Sequence, residues 1–147
     1  MDYRIREVDG CDPAIAAQIA RLHLIAFPGE VPIRTDGGWW WLAWNGDNGR
    51  PIGFAGLWPS SRFAQTGYLC RSGITPSHRG NGLQKRLIRV RERKARTLGW
   101  HWMLTDTVPS NPASSNTLIS CGYRTYVPAK PWCTNGAIYW RRSLDDE

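Results

Sequence analysis

The chain has 147 residues, of which 41% are hydrophobic, so it suits one globular domain with a sizeable core and not a disordered segment. Its formal net charge of +7 favours an anionic partner, such as nucleic acid, an acidic protein surface or a phosphorylated cofactor. No apolar run approaches the roughly 20 residues that cross a bilayer, and the N-terminus lacks the apolar stretch of a signal peptide. We therefore expect a cytoplasmic protein with no membrane partner.

Alternating and helical patterns predict the elements of the N-terminal half. Tyr3–Val8 alternates as a strand does, and Asp12 before Pro13 is typical of a helix N-cap and first position. Apolar residues then recur at steps of four and three, which predicts a helix that ends near Phe27. A loop rich in Pro and Gly follows as far as Gly38. Three strands come next, at residues 39–44, 51–58 and 67–74, with a hairpin turn at 45–49.

A basic amphipathic helix opens the C-terminal half. Leu83, Leu87, Val90 and Leu98 share one face at helical spacing, which predicts a helix over residues 83–98 with this face inward. The remaining circumference holds most of its basic residues, namely Lys85, Arg86, Arg89, Arg93 and Arg96. Gly99 is a plausible stop for this helix.

Three strands and a short helix complete the predicted order. The strands occupy residues 100–108, 123–127 and 137–142, and the helix occupies residues 112–120. The resulting order, β-α-β-β-β-α-β-α-β-β, predicts an α/β fold in which a mixed sheet carries helices on both faces. We find neither a repeat nor a linker, so residues 1–147 are expected to form a single domain.

Two glycines separate a strand from the basic helix in the segment SGITPSHRGNGLQKRL, residues 72–87. Glycine accepts positive φ angles and lets another molecule approach the backbone, and the first turn of a helix offers unpaired N–H groups and partial positive charge. Such a turn is a ready site for an anion, most often phosphate. Arg79 and Lys85 would add charge. An ordinary turn before a solvated helix is the alternative that this motif alone leaves open.

This turn, in this order of elements, resembles the GNAT superfamily of N-acetyltransferases. The family signature is an apolar strand end, x-P, and then R/Q-x-x-G-x-G/A at the start of a helix. Residues 74–84 read ITPSHRGNGLQ, with Gln84 in place of the final small residue. Two further family stretches are matched by GFAG at residues 53–56 and by NPAS at residues 111–114 followed by GY at residues 122–123. The resemblance covers nearly the whole chain and implies the GNAT-like fold, with splayed fourth and fifth strands.

The resemblance implies acetyl-CoA, or another acyl-CoA, as the acyl donor, with no metal ion. Arg79 would complement the pyrophosphate, which backbone N–H groups of six residues would hold: Gly80, Asn81, Gly82, Leu83, Gln84 and Lys85. The strand edge Ser72-Gly73-Ile74 would hydrogen-bond the pantetheine arm in the slot between the splayed strands, and Asn111 would contact the same arm. A backbone N–H near Ile74 would polarise the thioester carbonyl.

Transfer of an acyl group to an amine needs a neutral amine beside the carbonyl and a group that takes its proton. Asp106 is the candidate catalytic residue, near the end of the fifth strand and five residues before Asn111. Some family members that acetylate protein N-termini carry a catalytic group on this strand. The alternative is that Asp106 caps a loop or orients a neighbour. Many members place a Glu on the fourth strand instead, but residues 68–72, YLCRS, contain no carboxylate.

The general acid is not evident from the sequence. Many members have a Tyr seven residues after the motif's Asn, and that position is Leu118 here. Tyr123, Tyr126 and Tyr139 are substitutes among which the sequence does not choose. Because a CoA thiolate resembles a Cys thiolate in pKa, the reaction can dispense with an acid. The same departure leaves a non-catalytic acyl-CoA-binding domain as an alternative.

The acceptor would be a primary amine of a small molecule, a peptide or a protein. In the family, the loops that correspond to residues 27–32 and 128–136 shape the acceptor pocket. Glu30 could attract a cationic amine, or be a solvated loop acid, and Trp132 could wall the pocket, or only pack. The basic surface favours an acidic or phosphorylated acceptor.

The basic helix also leaves a nucleic-acid-binding module as a second alternative. A solvated basic helix explains the same residues more simply, so we do not expect a nucleic-acid partner. Real nucleic-acid binding would fall steeply with salt concentration. Many relatives pair through their late strands, so the resemblance leaves room for a homodimer.

The cysteines and histidines are scattered along the sequence. Cys11, Cys70, Cys121 and Cys133 contain no C-x-x-C pair, and His23, His78 and His101 lie too far apart to suggest a local metal motif. This distribution predicts reduced thiols and neither a disulfide framework nor a local metal motif.

Overall fold

The computed structural model describes residues 2–46, 49–133 and 136–145. Within these residues, the strands and helices are β1 (Tyr3–Val8), α1 (Pro13–Ala26), β2 (Trp39–Asn45), β3 (Gly53–Pro59), β4 (Thr66–Ile74), α2 (Leu83–Thr97), β5 (Trp102–Thr107), α3 (Pro112–Ser120), β6 (Arg124–Tyr126) and β7 (Ile138–Ser143). The predicted order is confirmed. A short 3-10 helix at Pro76–His78 is an addition to it, and the predicted hairpin turn at 45–49 lies partly outside the described residues.

The strands form one seven-stranded sheet in the order β1-β2-β3-β4-β5-β7-β6. β4 and β5 are parallel, whereas β1 with β2, β2 with β3, and β7 with both β5 and β6 are antiparallel. The sheet is therefore mixed, as predicted. The parallel ladder runs from the pair Thr66–Trp102 to the pair Tyr68–Leu104. That β4 and β5 splay beyond these pairs, and that helices cover both faces, stay predictions.

Contacts between residues group the chain into two compact units. The first comprises Met1–Trp58 and Cys70–Leu87, and the second comprises Pro59–Leu69 and Ile88–Glu147. The core of the first unit contains five buried side chains, Ile19, Leu22, Trp40, Leu42 and Phe54. A single domain over the whole chain stays a prediction. Among the described residues, no helix has the length and apolar character needed to cross a membrane.

The start of α1 follows from the Asp12-Pro13 pair. The Asp12 side chain accepts a hydrogen bond from the Ala14 N–H across 2.9 Å, and Pro13 takes the first helical position, where its missing N–H costs nothing. Ile19 and Leu22, which the helical spacing placed on the inner face, are buried.

The buried face of α2 differs in part from the prediction. Leu83 and Leu87 are buried as expected, but Val90 and Leu98 are only half-buried. Four further positions are buried instead, namely Ile88, Arg91, Glu92 and Ala95. Two of these are charged, and an apolar pattern cannot reveal them because their burial depends on partners elsewhere in the chain.

Candidate functional site

The glycine turn between β4 and α2 has the backbone that two glycines allow. Gly80 and Gly82 have φ angles of +80° and +77°, in the left-handed region that other residues rarely adopt. A Cβ atom at either position would have no heavy atom within 4 Å, so the turn is open on that side. Asn81 lies exposed between them.

The backbone N–H groups of residues 80–85 find no hydrogen-bond acceptor in the described part of the chain. The first backbone bond that enters α2 from the turn runs from the Arg86 N–H to the Gly82 carbonyl, across 3.2 Å. The first turn of α2 also contains no acidic residue. An anion would therefore meet unpaired donors and the positive end of the helix dipole, without a competing carboxylate in that turn.

Side chains from three segments hold this turn in place. Arg79 Nε donates to the Ile74 carbonyl across 2.9 Å and so ties the turn to the end of β4. Asn81 Nδ2 lies 3.2 Å from both the Tyr3 hydroxyl and the His78 carbonyl oxygen. The same Tyr3 hydroxyl lies 2.9 Å from His78 Nδ1. The bond from Nε to the Ile74 carbonyl does not conflict with the prediction that Arg79 complements a phosphate. The Nη atoms of Arg79 make no hydrogen bond within the described residues.

Gln84, the departure from the family pattern, reaches across to β4. Its Oε1 accepts a hydrogen bond from the Ser72 hydroxyl across 3.2 Å. The structure thus joins two of the predicted donor-binding residues directly. Of the neighbouring predicted positions, Leu83 is buried and Lys85 is exposed.

Gly73 and Ile74 continue the predicted donor-binding edge. A Cβ at Gly73 would lie 2.5 Å from the Ala26 Cβ, so this position has room for glycine alone unless α1 moves. The Ile74 carbonyl is the acceptor for Arg79 Nε. Asn111, the last predicted contact of the donor, is the N-cap of α3, where its Oδ1 accepts from the Ser114 N–H across 3.2 Å.

Asp106 lies on β5 with two hydrogen-bond donors on one carboxylate oxygen. The Tyr68 hydroxyl donates to Asp106 Oδ2 across 2.6 Å, and Trp132 Nε1 donates to the same oxygen across 3.0 Å. The register explains the first contact, because Tyr68 pairs with Leu104 and Asp106 is the diagonal neighbour two positions further on. These bonds fix the orientation of the carboxylate, and the side chain is half-buried.

Further polar and aromatic groups surround this carboxylate. Burial raises the pKa of the Cys133 thiol, and the nearby charge of Asp106 raises it further. The Tyr139 hydroxyl accepts from the Cys133 N–H across 2.9 Å, and the Tyr139 ring lies edge-on to Trp132 with 4.6 Å between centroids. Sequence reasoning singled out Asp106 and Trp132 separately but missed the role of Tyr68, which only the strand register could have indicated.

The structure separates the three tyrosines proposed as substitutes for an acid. Tyr123 is buried and donates to Glu92 Oε2 across 2.8 Å, so its hydroxyl is already engaged. Tyr139 is the register partner of Asp106, and its hydroxyl bonds Cys133. Tyr126 is the register partner of Tyr139 on the next strand, and its buried hydroxyl has no hydrogen-bond partner among the described residues. Burial raises the pKa of Tyr126, although Arg141 opposes this change. Leu118 is buried.

The other predicted features take these positions. Glu30 Oε2 lies 3.7 Å from Nη2 of Arg71, and the pair is partly exposed. Lys85, Arg86 and Arg93 are exposed on α2, as the solvated-helix interpretation expects. All four cysteines are free thiols. The described residues contain no group of three or more His, Cys, Asp or Glu side chains that could hold a metal ion.

Solved structures with the same fold belong to acetyltransferases. An IAA acetyltransferase from Bacillus cereus has a TM-score of 0.75 at 18% identity, and the match covers 97% of this chain and 99% of that one. A Bacillus subtilis acetyltransferase in complex with CoA has a TM-score of 0.73 at 18% identity, with 97% and 99% covered. The ribosomal-protein-S18-alanine N-acetyltransferase of Escherichia coli has a TM-score of 0.74 at 13% identity, with 97% and 94% covered. At these identities the likeness shows the fold.

Comparison of the sequence itself gives the family. No curated protein matches the chain significantly. A family model described as "Acetyltransferase (GNAT) family" matches residues 11–123, which include α1, the glycine turn, β5 and α3. The chain therefore belongs to the GNAT family of acetyltransferases.

Proposed function

We propose that the chain is an N-acetyltransferase that uses acetyl-CoA to acetylate a primary amine. Family membership supports acyl transfer, and similar structures include one in complex with CoA and another with acetyl-CoA. The observation that carries the proposal is the row of backbone N–H groups at residues 80–85, which lack acceptors in the described chain and open onto an uncrowded glycine turn.

The donor-binding residues are those of the turn and of the adjoining strand. The N–H groups of residues 80–85 would hold a pyrophosphate, and the exposed Lys85 would add charge. Ser72 to Ile74 would bind the pantetheine arm through backbone hydrogen bonds, as an added strand does. Relatives have a small residue at the position of Gln84. Here the Gln84 side chain accepts a hydrogen bond from Ser72, another residue of the proposed donor site.

Acetyl-CoA supplies, as substrate, a thioester whose C–S bond breaks as the amine nitrogen bonds to the carbonyl carbon. In this proposal Asp106 takes the proton that the amine loses, directly or through a water molecule. Tyr68 and Trp132 hold the carboxylate in one orientation through their bonds to Oδ2. A backbone N–H near Ile74 would stabilise the negative charge that develops on the carbonyl oxygen.

Binding and turnover can be measured in one preparation. We expect acetyl-CoA to bind in a calorimeter, and free thiol to appear only when a suitable amine or peptide is added. Asp106→Asn should lower turnover at least about 100-fold while acetyl-CoA binding survives, since a positioned base contributes about 10²–10⁴-fold. Asp2→Asn removes an exposed carboxylate and serves as the matched control, with turnover unchanged.

Each contrary result points elsewhere. Absence of acetyl-CoA binding would contradict the donor assignment and would favour nucleic-acid binding by the basic face of α2. Binding without thiol release across the whole panel would favour a non-catalytic acyl-CoA-binding domain, in keeping with Leu118 at the position where many relatives have a Tyr. Unaltered turnover in Asp106→Asn would remove that residue from the mechanism.

A further inference from the structure

Arg71 on β4 is a partly exposed cation that an aromatic ring holds in place. Its guanidinium carbon lies 4.4 Å from the centre of the Phe27 ring, at the C-terminal end of α1. The face of an aromatic ring attracts a guanidinium that lies over it, and this favours one position for the Arg71 side chain and its N–H groups. The Arg71 side chain is 38% exposed, so those groups can be reached from solvent.

The described residues give this guanidinium no hydrogen-bond acceptor. Its ion-pair partner is Glu30, whose Oε2 is 3.7 Å from Nη2, beyond hydrogen-bond distance. An exposed pair at this separation contributes little to stability, because solvent screens it. Phe27 thus positions Arg71, but Glu30 accepts no hydrogen bond from its guanidinium.

The buried neighbour of this group is a histidine whose surroundings disfavour its charged form. His23 is buried against the Phe27 ring, with 5.0 Å between ring centroids. Burial lowers the pKa of His23, the charge of Arg71 lowers it further, and Glu30 opposes the change. Burial and Arg71 thus disfavour a positive charge on His23, which would otherwise compete with Arg71 for Glu30.

We propose that Arg71 recognises a carboxylate on the acceptor, so that the acceptor is an amine that also carries a carboxylate. This rests on the proposed acetyl transfer. Arg71 adjoins Ser72, a predicted donor contact on the same strand, and an arginine fork matches a carboxylate with two parallel hydrogen bonds. The net charge of +7 would also draw an anionic acceptor towards the protein. Glu30 competes for the same donors and weakens this recognition.

Two pairs of acceptors, each differing in one charge, test the proposal. Alanine against alaninamide tests an α-carboxylate, and an aspartyl against an asparaginyl dipeptide amide tests a side-chain carboxylate. We expect kcat/KM to favour the anionic member of at least one pair by about 10- to 100-fold, as charge-assisted hydrogen bonds do. Arg71→Gln should reduce this preference to about threefold or less, with rates on the neutral member and the KM for acetyl-CoA unchanged.

Further variants distinguish recognition from a structural role. Arg71→Lys keeps the charge but loses the fork, so its preference should be intermediate. Glu30→Gln should increase the preference. Arg34→Gln, at an exposed arginine that is paired with Asp36, is the matched control and should leave the preference unchanged. Equal loss of activity on both members of a pair in Arg71→Gln would overturn the proposal, as would a wild type that favours neither anionic member.

A binding measurement keeps this test separate from the proposed function. If acetyl-CoA binds but none of these amines is acetylated, binding of alanine and of the aspartyl dipeptide amide is measured in the presence of CoA. Binding of either anionic compound to the wild type that Arg71→Gln abolishes would support the Arg71 proposal. Equal binding by wild type and variant, or no binding by the wild type, would overturn it.

Discussion

Tyr123 donates its hydroxyl hydrogen to Oε2 of Glu92 across 2.8 Å, and both side chains are buried. The other carboxylate oxygen, Oε1, lies 2.8 Å from Nη1 of Arg89 and 2.8 Å from Nη1 of Arg142. Partners on both oxygens are what a fully buried carboxylate requires. These contacts join α2 to β7 and to the residue before β6 within the second compact unit.

Glu92→Ala should destabilise the protein by about 3–5 kcal/mol, because it removes a fully buried carboxylate that pairs with Arg89 and Arg142 and leaves Tyr123 without this acceptor. Denaturant unfolding monitored by circular dichroism measures this change. Arg93→Ala, at the next and exposed position of the same helix, should change the free energy of unfolding by less than about 0.5 kcal/mol. A loss for Glu92→Ala that is no larger than that of this control would contradict the prediction.

Tyr123 should remain neutral at pH values where an ordinary tyrosine ionises. Burial raises its pKa well above 10, and the charge and hydrogen bond of Glu92 raise it further. Because the folded-state pKa lies above the unfolded one, this contribution to stability is complete below about pH 10 and is lost as the pH rises further. Ultraviolet titration of tyrosinate should show a late phase that Tyr123→Phe removes. Loss of an early phase instead would contradict the prediction.

Tyr68→Phe should lower kcat by about 10- to 100-fold, because Asp106 Oδ2 loses one of the two donors, Tyr68 and Trp132, that it has among the described residues. The dissociation constant of acetyl-CoA should stay unchanged, and this distinguishes misplacement of Asp106 from general damage. Trp132→Phe removes the other donor and should act in the same direction. If both variants keep full kcat, the carboxylate either needs no fixed orientation or takes no part in the reaction.

Tyr3→Phe should weaken acetyl-CoA binding by about 3- to 10-fold, the range that one neutral hydrogen bond spans. The variant removes the hydroxyl that Asn81 Nδ2 and His78 Nδ1 contact, so the glycine turn loses one of its supports and keeps the bond from Arg79 to Ile74. Titration calorimetry measures the affinity, while kcat at saturating acetyl-CoA should be unaffected. Asn81→Ala removes the other side of this contact, and an unchanged affinity in both variants would show that the turn needs no such support.

Stability should fall as the pH drops below about 6.5, in part because of His23. Burial lowers the pKa of His23 in the folded state, with a further contribution from Arg71. A lowered folded-state pKa means that this stability is present above the unfolded pKa and is lost as the pH falls through the folded one. Unfolding measured from pH 8 to pH 5 should show a smaller decline in His23→Leu than in the wild type. An equal decline in both proteins would assign it to other groups.

Local sequence patterns predicted the helices and strands of this fold. They did not predict contacts between residues that lie far apart in the sequence. The Asp12 cap and the apolar spacing of Ile19 and Leu22 predicted α1 because a helix start and its inner face are encoded within a few residues. The buried face of α2 was predicted only at Leu83 and Leu87. Glu92 was not singled out, because one of its partners, Arg142, lies 50 positions away and no local pattern marks the pair.

The candidate site likewise combines features that the local sequence predicted with contacts that only the structure revealed. The glycine turn was recognisable because its chemistry lies within a few consecutive residues, and its N–H groups have no acceptor in the described part of the chain. Asp106 was recognisable as a carboxylate on a strand, but its donor Tyr68 is 38 residues away and meets it only through the parallel register of β4 and β5. The contact of Gln84 with Ser72 likewise required the structure.

The position of β7 between β5 and β6 determines when this part of the sheet can form during synthesis. β7 follows both of its neighbours along the chain, yet it pairs with each of them. On the ribosome, β6 must therefore wait for residues 138–143 before it can join the sheet, and one edge of β5 stays open for the same time. An open edge can pair with other chains, so the nascent protein depends on β7 for protection from aggregation.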